Sequence, residues 1–406
     1  MKVLRIIARL NVGGPARHVV WLSKNLQDDE FRSVLIAGNI AEGEDDMDYF
    51  AAQNGVAPIY IEDLSRELSL KDLSAARRIY RQIKLYAPDI IHTHTAKAGT
   101  LGRLVAFAYR WLTWSALVGR PRPIKIVHTF HGHIFHSYYG KLQTSIYLTI
   151  EKLLAKFATD KIVVISQQQL REINQEFNVG KNSQFSVIPL GIDFENFPQS
   201  NEVCEQKLRE EIGASDDEII VGFLGRLTEI KNVSLLLNAA ALSASSEMKL
   251  RFIIVGDGQL RARLEAESCS LGLSDRVTFL GHRSDVLELI AGMDIVALSS
   301  LNEGTPLSVI EAMASGVPVV ATGVGGVVDL LGEIDETKDG FAVCHRGIMV
   351  QSGNAPSLCD GLMFLAQNDT LRKTLSQRGK KFVRSEYSID RLTNDMRDLY
   401  RALISV

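Results

Sequence analysis

Short runs of Val, Ile and Leu recur along this chain, and between them lie longer segments whose apolar residues repeat at helical spacing. A strand that reads as an unbroken apolar run is covered on both faces, so the alternation predicts parallel sheets with helices on either side. The spacing predicts strands at Val3 to Ala8, Val34 to Ala37, Pro58 to Ile61, Ile90 to Thr93, Ile124 to Thr129, Ile162 to Ile165 and Ser186 to Ile188. A second series runs through Ile219 to Leu224, Phe252 to Val255, Val277 to Leu280, Ile295 to Leu298, Val317 to Ala321 and Phe341 to Val343, after which the pattern is helical. Between the series lies Pro189-Leu-Gly-Ile-Asp-Phe-Glu-Asn-Phe-Pro198, punctuated as a linker is. A length of 406 residues exceeds what one hydrophobic core supports. Two doubly wound α/β domains are therefore expected, at 1–190 and 191–380, with helices at 381–406 packing back on the first.

Bulk properties exclude several functions. With 45 basic and 48 acidic residues the net charge is −3, which provides no global field for nucleic acid. Cys204, Cys269, Cys344 and Cys359 are scattered without a Cys-x-x-Cys pair, so no disulfide or zinc framework is expected. Charges interrupt the first residues, Met-Lys-Val-Leu-Arg-Ile-Ile-Ala-Arg, where a signal peptide needs an unbroken apolar stretch. The expected location is cytoplasmic.

The chemistry concentrates in Glu303-Gly-Thr-Pro-Leu-Ser-Val-Ile-Glu311. Thr305 reads as a helix N-cap and Pro306 as the first helical residue, which leaves free N–H groups around Gly304 and Leu307 for an anion. Glu303 precedes that positive end and Glu311 lies inside the helix. Carboxylates repel phosphate but accept hydrogen bonds from hydroxyls, so the implied ligand is a sugar joined to phosphate. Arg226 and Lys231 follow the first strand of the second series, at the strand ends where open α/β sheets bind ligands, and their charges suit a diphosphate. Taken alone, each of these residues also reads as a solvated surface charge.

Three stretches in order, His128-Thr-Phe-His131-Gly-His133, Gly225-Arg226-Leu-Thr-Glu-Ile-Lys231 and Glu303 to Glu311 followed by Ala-Met-Ala-Ser-Gly-Val-Pro-Val-Val, resemble the signature of retaining glycosyltransferases of family 4. The resemblance implies the GT-B fold: two doubly wound Rossmann-like domains with a cleft between them, the first binding the acceptor and the second the nucleotide sugar. It implies that Arg226 and Lys231 clamp the pyrophosphate, that Glu303 holds hydroxyls of the transferred sugar, and that Glu311 holds the ribose. It also implies His131 near that sugar, Gly13 or Gly14 facing the diphosphate, and His282 and Arg283 near the base. The expected activity is metal-independent transfer of a sugar, from a uridine diphosphate donor, to a glycan or lipid-linked acceptor in cell-surface polysaccharide or glycoconjugate synthesis. The nucleotide sugar is a co-substrate, and no cofactor is required. Alternatives are a nucleotide-sugar epimerase of the same architecture, or a synthase acting on a sugar phosphate or another small acceptor.

Other features stay open. His128, His131, His133 and His136 read as sugar-contacting, as structural or as metal ligands, though carboxylates and thiols are lacking nearby. His92 and His94, two apart, share a strand face. Gly13-Gly14 and Gly256-Asp-Gly258 fall short of the full dinucleotide fingerprint. Asp46-Met-Asp48 reads as the start of a solvated helix rather than a manganese site. Leu104 to Val118, read as one helix, places Phe107, Trp111, Trp114 and Val118 on one face beside Arg103 and Arg110. That stripe suits either contact with the inner face of a membrane or packing within the first domain.

Overall fold

The computed structural model describes residues 1–11, 13–39, 47–64, 71–132, 141–244, 246 and 248–405. Two compact units emerge, Met1–Gly191 joined by Ile389–Val406, and Ile192–Ser388. The first carries strands β1 (Lys2–Ile7), β2 (Arg32–Gly38), β3 (Ile59–Ile61), β4 (Ile90–His94), β5 (Lys125–Phe130), β6 (Lys161–Val164) and β7 (Phe185–Val187) in one parallel sheet ordered β3-β2-β1-β4-β5-β6-β7. The second carries β8 (Ile219–Leu224), β9 (Leu250–Val255), β10 (Val277–Gly281), β11 (Ile295–Leu298), β12 (Val319–Thr322), β13 (Ile334–Thr337), β14 (Phe341–Cys344) and β15 (Gly347–Val350), ordered β10-β9-β8-β11-β12-β15-β14-β13. Strand β14 runs antiparallel to both of its neighbours.

Every predicted strand is present with its ends within two residues of the reading. In each sheet the order reverses beside the first strand, between β1 and β4 and between β8 and β11. Such switch points open a crevice at the carboxyl ends of the strands. Strands β13 and β15 were not predicted. All four residues of β13 are exposed, and β15 is a four-residue run opening on Gly347, so neither carries a long apolar signal.

The helix Ile389–Ile404 belongs to the first unit. Leu392, Met396, Tyr400 and Leu403 recur at helical spacing and are buried with Leu22, Leu26, Phe31 and Val127. Tyr400 also enters a polar chain through the core. Its hydroxyl lies 3.3 Å from Arg5 Nη2 and 2.6 Å from His92 Nδ1, while His92 Nε2 lies 2.7 Å from Thr129 Oγ1. His128 is likewise buried: Thr93 Oγ1 lies 2.9 Å from its Nδ1, and a Cβ on Gly99 would stand 2.4 Å from its ring. Burial holds His18, His92, His94 and His128 well below the usual histidine range, and cations such as Arg5 and Arg103 add to it.

Two expectations about the aromatic stripe are corrected. Leu104 to Val118 is not one helix, because the helix Ala96–Trp111 ends and Thr113, in extended conformation, caps a new one at Trp114–Leu117 by accepting the Ala116 N–H at 3.1 Å. Arg103 is not a surface cation. It is fully buried, its Nη2 donates to both oxygens of Glu151 at 2.7 and 2.6 Å, and its Nε donates to the Gly99 carbonyl at 2.8 Å. Arg110 is paired with Asp160 at 2.9 Å. Among the described residues, no helix is long and apolar enough to cross a membrane.

Removing one partner of a buried ion pair leaves an uncompensated charge, at a cost of about 3 to 5 kcal/mol. Glu151→Ala should lower urea stability by that amount, and the double change Arg103→Met with Glu151→Leu should recover most of it. A second expectation follows from the buried histidines. Their folded pKa lies below the unfolded value, so above pH 6.5 both states are neutral and they contribute no pH dependence. Below it the unfolded chain takes up protons first, and stability should fall by up to ~1.4 kcal/mol per pH unit for each histidine until the folded pKa is reached. Denaturation midpoints from pH 7.5 to 5 measure this slope, and His128→Asn should flatten it by one histidine's share.

Candidate active site

The loop after β8 is held by close backbone packing. Gly225 has φ 155°, and a Cβ on Gly256 would stand 2.1 Å from the Gly225 carbonyl oxygen. A Cβ on Gly258 would stand 2.5 Å from the Leu227 carbonyl, and the Leu227 N–H donates to Asp257 O at 2.9 Å. The glycines of Gly256-Asp-Gly258 therefore serve contact between two loops. They place Arg226 at an exposed position, where its guanidinium has no hydrogen-bonding partner among the described residues.

Lys231 ends a short 3-10 turn, Glu229–Lys231, and Asn232 follows in the left-handed region at φ 47°. This turn is stitched to the loop after β11: Leu301 N–H donates to Ile230 O at 2.8 Å and Ser299 Oγ to Lys231 O at 2.9 Å. The side chains meet as well. Lys231 Nζ lies 2.6 Å from Glu303 Oε1, which also accepts from Ser300 Oγ at 2.6 Å. The pair is largely withdrawn from water, with side-chain exposures of 22% and 11%. Glu303 Oε2 has no partner among the described residues, so it remains an acceptor for a hydroxyl.

The helix after this loop starts one residue later than the sequence predicts. It spans Leu307–Ser315, and Pro306, at φ −70° and ψ 121°, is its N-cap, with its carbonyl accepting from Ile310 N–H at 3.3 Å. Thr305 makes no side-chain cap; its Oγ1 is buried without a partner among the described residues. The reason lies in the loop after β12. Gly326 N–H donates to Gly304 O at 2.7 Å, and a Cβ on Gly326 would stand 2.9 Å from Thr305 Oγ1. That contact turns Thr305 inward and leaves the N–H groups of Leu307 and its successors at the helix start. Glu311 is buried on the helix, 7% exposed.

Not every residue expected at the donor joins this group. Arg283 pairs with Asp285 of its own loop at 2.6 Å and with Glu211 of the helix Asn201–Ile212, and these carboxylates raise its pKa further. His282 is exposed.

In the first unit Gly13 has φ 154° and precedes the helix Gly14–Asn25, with its carbonyl 3.4 Å from Arg17 N–H. His131, just beyond β5, places Nε2 3.0 Å from His94 Nδ1 at the end of β4. His18 joins them, its ring centroid 4.9 Å from that of His131 and 5.8 Å from that of His94. Burial pushes the His131 pKa down to about 3. Sequence reasoning missed His18, although its place just past Gly13-Gly14, on the helix that follows β1, was the available signal. His133, His136 and Asp46 lie outside the described residues, and Asp48 accepts from the Tyr60 hydroxyl at the start of the helix Asp48–Gln53.

In the second unit, two cations, a helix start and a carboxylate with a spare oxygen thus gather at the switch point, a set that neutralises an anion and orients a hydroxyl beside it. Comparison with known proteins identifies the family. The family described as Glycosyltransferase Family 4 matches residues 12–196, and Glycosyl transferases group 1 matches residues 205–382. The UDP-Gal:alpha-D-GlcNAc-diphosphoundecaprenol alpha-1,3-galactosyltransferase of Escherichia coli is 27% identical over 352 residues, 86% of this chain and 84% of its own length. The capsular polysaccharide biosynthesis glycosyltransferase CapM of Staphylococcus aureus is 24% identical over 353 residues, 85% of each. The crystal structure of HepE from Anabaena in complex with UDP has the same fold, with a TM-score of 0.77, 21% identity, and coverage of 99% of this chain and 100% of that one. The chain belongs to the family 4 glycosyltransferases and has their GT-B fold.

Proposed function

We propose that this glycosyltransferase moves a sugar, with retention and without a metal ion, from a uridine diphosphate donor to a glycan or lipid-linked acceptor in cell-surface polysaccharide or glycoconjugate synthesis. The observation that carries this reading is the 2.6 Å pair of Lys231 with Glu303, which joins the loop after β8, where the guanidinium of Arg226 is unpartnered among the described residues, to the loop that leads into the helix start at Leu307. Within the chain itself Glu303 neutralises Lys231. A diphosphate would draw the ammonium toward its oxygens, where Arg226 supplies a planar fork and Leu307 the first helical N–H. The spare oxygen of Glu303 then accepts from hydroxyls of the transferred sugar, Glu311 accepts from the ribose, and the buried hydroxyl of Thr305 gains a partner. Gly13, Gly14 and His131 are assigned to the diphosphate and the sugar by family resemblance, as are His282 and Arg283 to the base; the pairing of Arg283 with Asp285 and Glu211 weighs against a direct contact from its side chain.

In the reaction the bond from the anomeric carbon to the diphosphate oxygen breaks, and a bond from the acceptor oxygen forms on the same face. The acceptor proton passes to the departing phosphate, so no protein base is needed. Negative charge grows on the diphosphate as the sugar leaves, and Arg226 and Lys231 stabilise it most at that moment. The uridine donor is supported by the UDP complex of the Anabaena protein and the lipid-linked acceptor by the name of the Escherichia coli relative. Contact with the inner face of the membrane through Phe107, Trp111 and Trp114 is supported by exposure: Trp114 is 88% exposed and Trp111 40%, with exposed Leu112, Leu117 and Val118 beside them and Arg120 following.

Turnover of a panel of UDP-sugars tests the donor site. Arg226→Ala and Lys231→Ala should each lower it by roughly 10² to 10³ fold, or ~2.7 to 4 kcal/mol, with folding intact and EDTA without effect on the parent. Near-normal rates in both variants, or activity lost in EDTA and restored by Mn²⁺, contradict the reading. An altered free sugar nucleotide formed without acceptor would mark an epimerase instead. For the membrane, Trp111→Ser with Trp114→Ser should abolish salt-sensitive co-sedimentation with anionic liposomes and leave donor hydrolysis unchanged. Undiminished sedimentation of this variant would move the contact elsewhere.

A further inference from the structure

We propose that His18, His94 and His131 form a binding site for a divalent cation of the zinc class. One ligand atom from each lies within 4.8 Å of the other two, and all three residues belong to the first unit, on the helix after β1 and at the ends of β4 and β5. Each imidazole has at least one nitrogen that is buried without a partner among the described residues: both nitrogens of His18, Nε2 of His94 and Nδ1 of His131. A buried polar atom left unpaired is costly, and a metal between the rings would give one nitrogen of His18 the partner it lacks, while Nε2 of His94 and Nδ1 of His131 lie on the other side of their rings from the nitrogens that face each other.

The spacing already approaches that of a coordinated site. Nitrogens bound to zinc at about 2.0 to 2.1 Å in tetrahedral geometry stand ~3.3 Å apart. His94 Nδ1 and His131 Nε2 are 3.0 Å apart, so a separation wider by a few tenths of an ångström, with both rings turned toward one point off the line between them, would let a metal replace the proton they share. His18 reaches them as the third donor with no hydrogen bond to surrender.

The chemistry of the donor set selects the ion. Three neutral imidazoles suit zinc, copper or nickel, whereas magnesium and calcium require oxygen ligands. The neutral imidazole is the form that coordinates. No carboxylate belongs to the group, and the charges that bear on His18 and His94 include the cation Arg5. A bound dication would therefore require an anionic fourth ligand such as hydroxide or chloride. A metal here would also occupy the imidazole of His131. Inhibition of transfer by zinc follows from that only if the sugar contact proposed above is right, so the test below does not read activity.

Equilibrium dialysis of the full chain against micromolar Zn²⁺ should give one tightly bound ion per chain, undisturbed by millimolar Mg²⁺. Co²⁺ in its place should show the visible absorption of a tetrahedral nitrogen site. His18→Gln and His94→Gln should each weaken zinc binding at least tenfold, with far-UV circular dichroism confirming the fold. Less than one tenth of an equivalent bound to the parent chain overturns the proposal, as does undiminished affinity in a folded His18→Gln variant, which would assign the ion to exposed groups such as His282 or His345. Should both variants fail to fold, the cobalt spectrum of the parent decides alone, and a six-coordinate oxygen-type spectrum rejects the site.

Discussion

The salt bridge between Lys231 and Glu303 is the contact on which the proposed donor site depends, because it joins the loops after two adjacent strands at the place where the order of the second sheet reverses. Lys231 sits at the end of a single 3-10 turn and Glu303 in a loop between Ser300 and the helix Leu307–Ser315. Backbone bonds from Leu301 to Ile230, and the Ser299 hydroxyl to Lys231, make the two loops one body, and the ion pair closes it. Loops joined in this way hold Lys231 and Glu303 in place, and under the proposed function a diphosphate would only have to draw the Lys231 ammonium from Glu303.

The glycines around this body explain why the loops can approach so closely. Gly256, Gly258 and Gly326 each stand where a Cβ would collide with carbonyl oxygens of Gly225, Leu227 and Gly304. The helix start at Leu307 is thus set by packing against the loop after β12 rather than by a side-chain cap. Elsewhere the first unit stores polar groups inside its core, where Arg5, Tyr400, His92 and Thr129 form a continuous chain from β1 through the C-terminal helix to β5. The C-terminal helix is thereby tied to the first unit by hydrogen bonds as well as by its apolar face.

Much of the architecture was legible in the sequence, since fully buried parallel strands such as Ile90–His94 and Ile295–Leu298 announce themselves as apolar runs bounded by turns. Strand β13 was not, because an exposed edge strand of sequence Ile-Asp-Glu-Thr has no apolar pattern to read. Charge and motif order brought out Arg226, Lys231 and Glu303, but not the pairing among them, which depends on loop packing across β8 and β11. Thr305 satisfied every local rule for an N-cap and was displaced by the tertiary contact with Gly326. The burial of Arg103 beside the stripe was not legible because its partner Glu151 lies forty-eight residues away, a separation that periodicity cannot bridge. The break after Trp111 escaped for a different reason: Thr113 is a cap signal hidden inside an apolar stretch.

The most direct test of the donor site is a crystal structure of the chain with a non-hydrolysable UDP-sugar. The account predicts that diphosphate oxygens lie within hydrogen-bond distance of the Arg226 guanidinium, the Lys231 ammonium and the Leu307 N–H, with a sugar hydroxyl on Glu303. A diphosphate bound elsewhere, with Arg226 still in solvent and Lys231 still held only by Glu303, would contradict it.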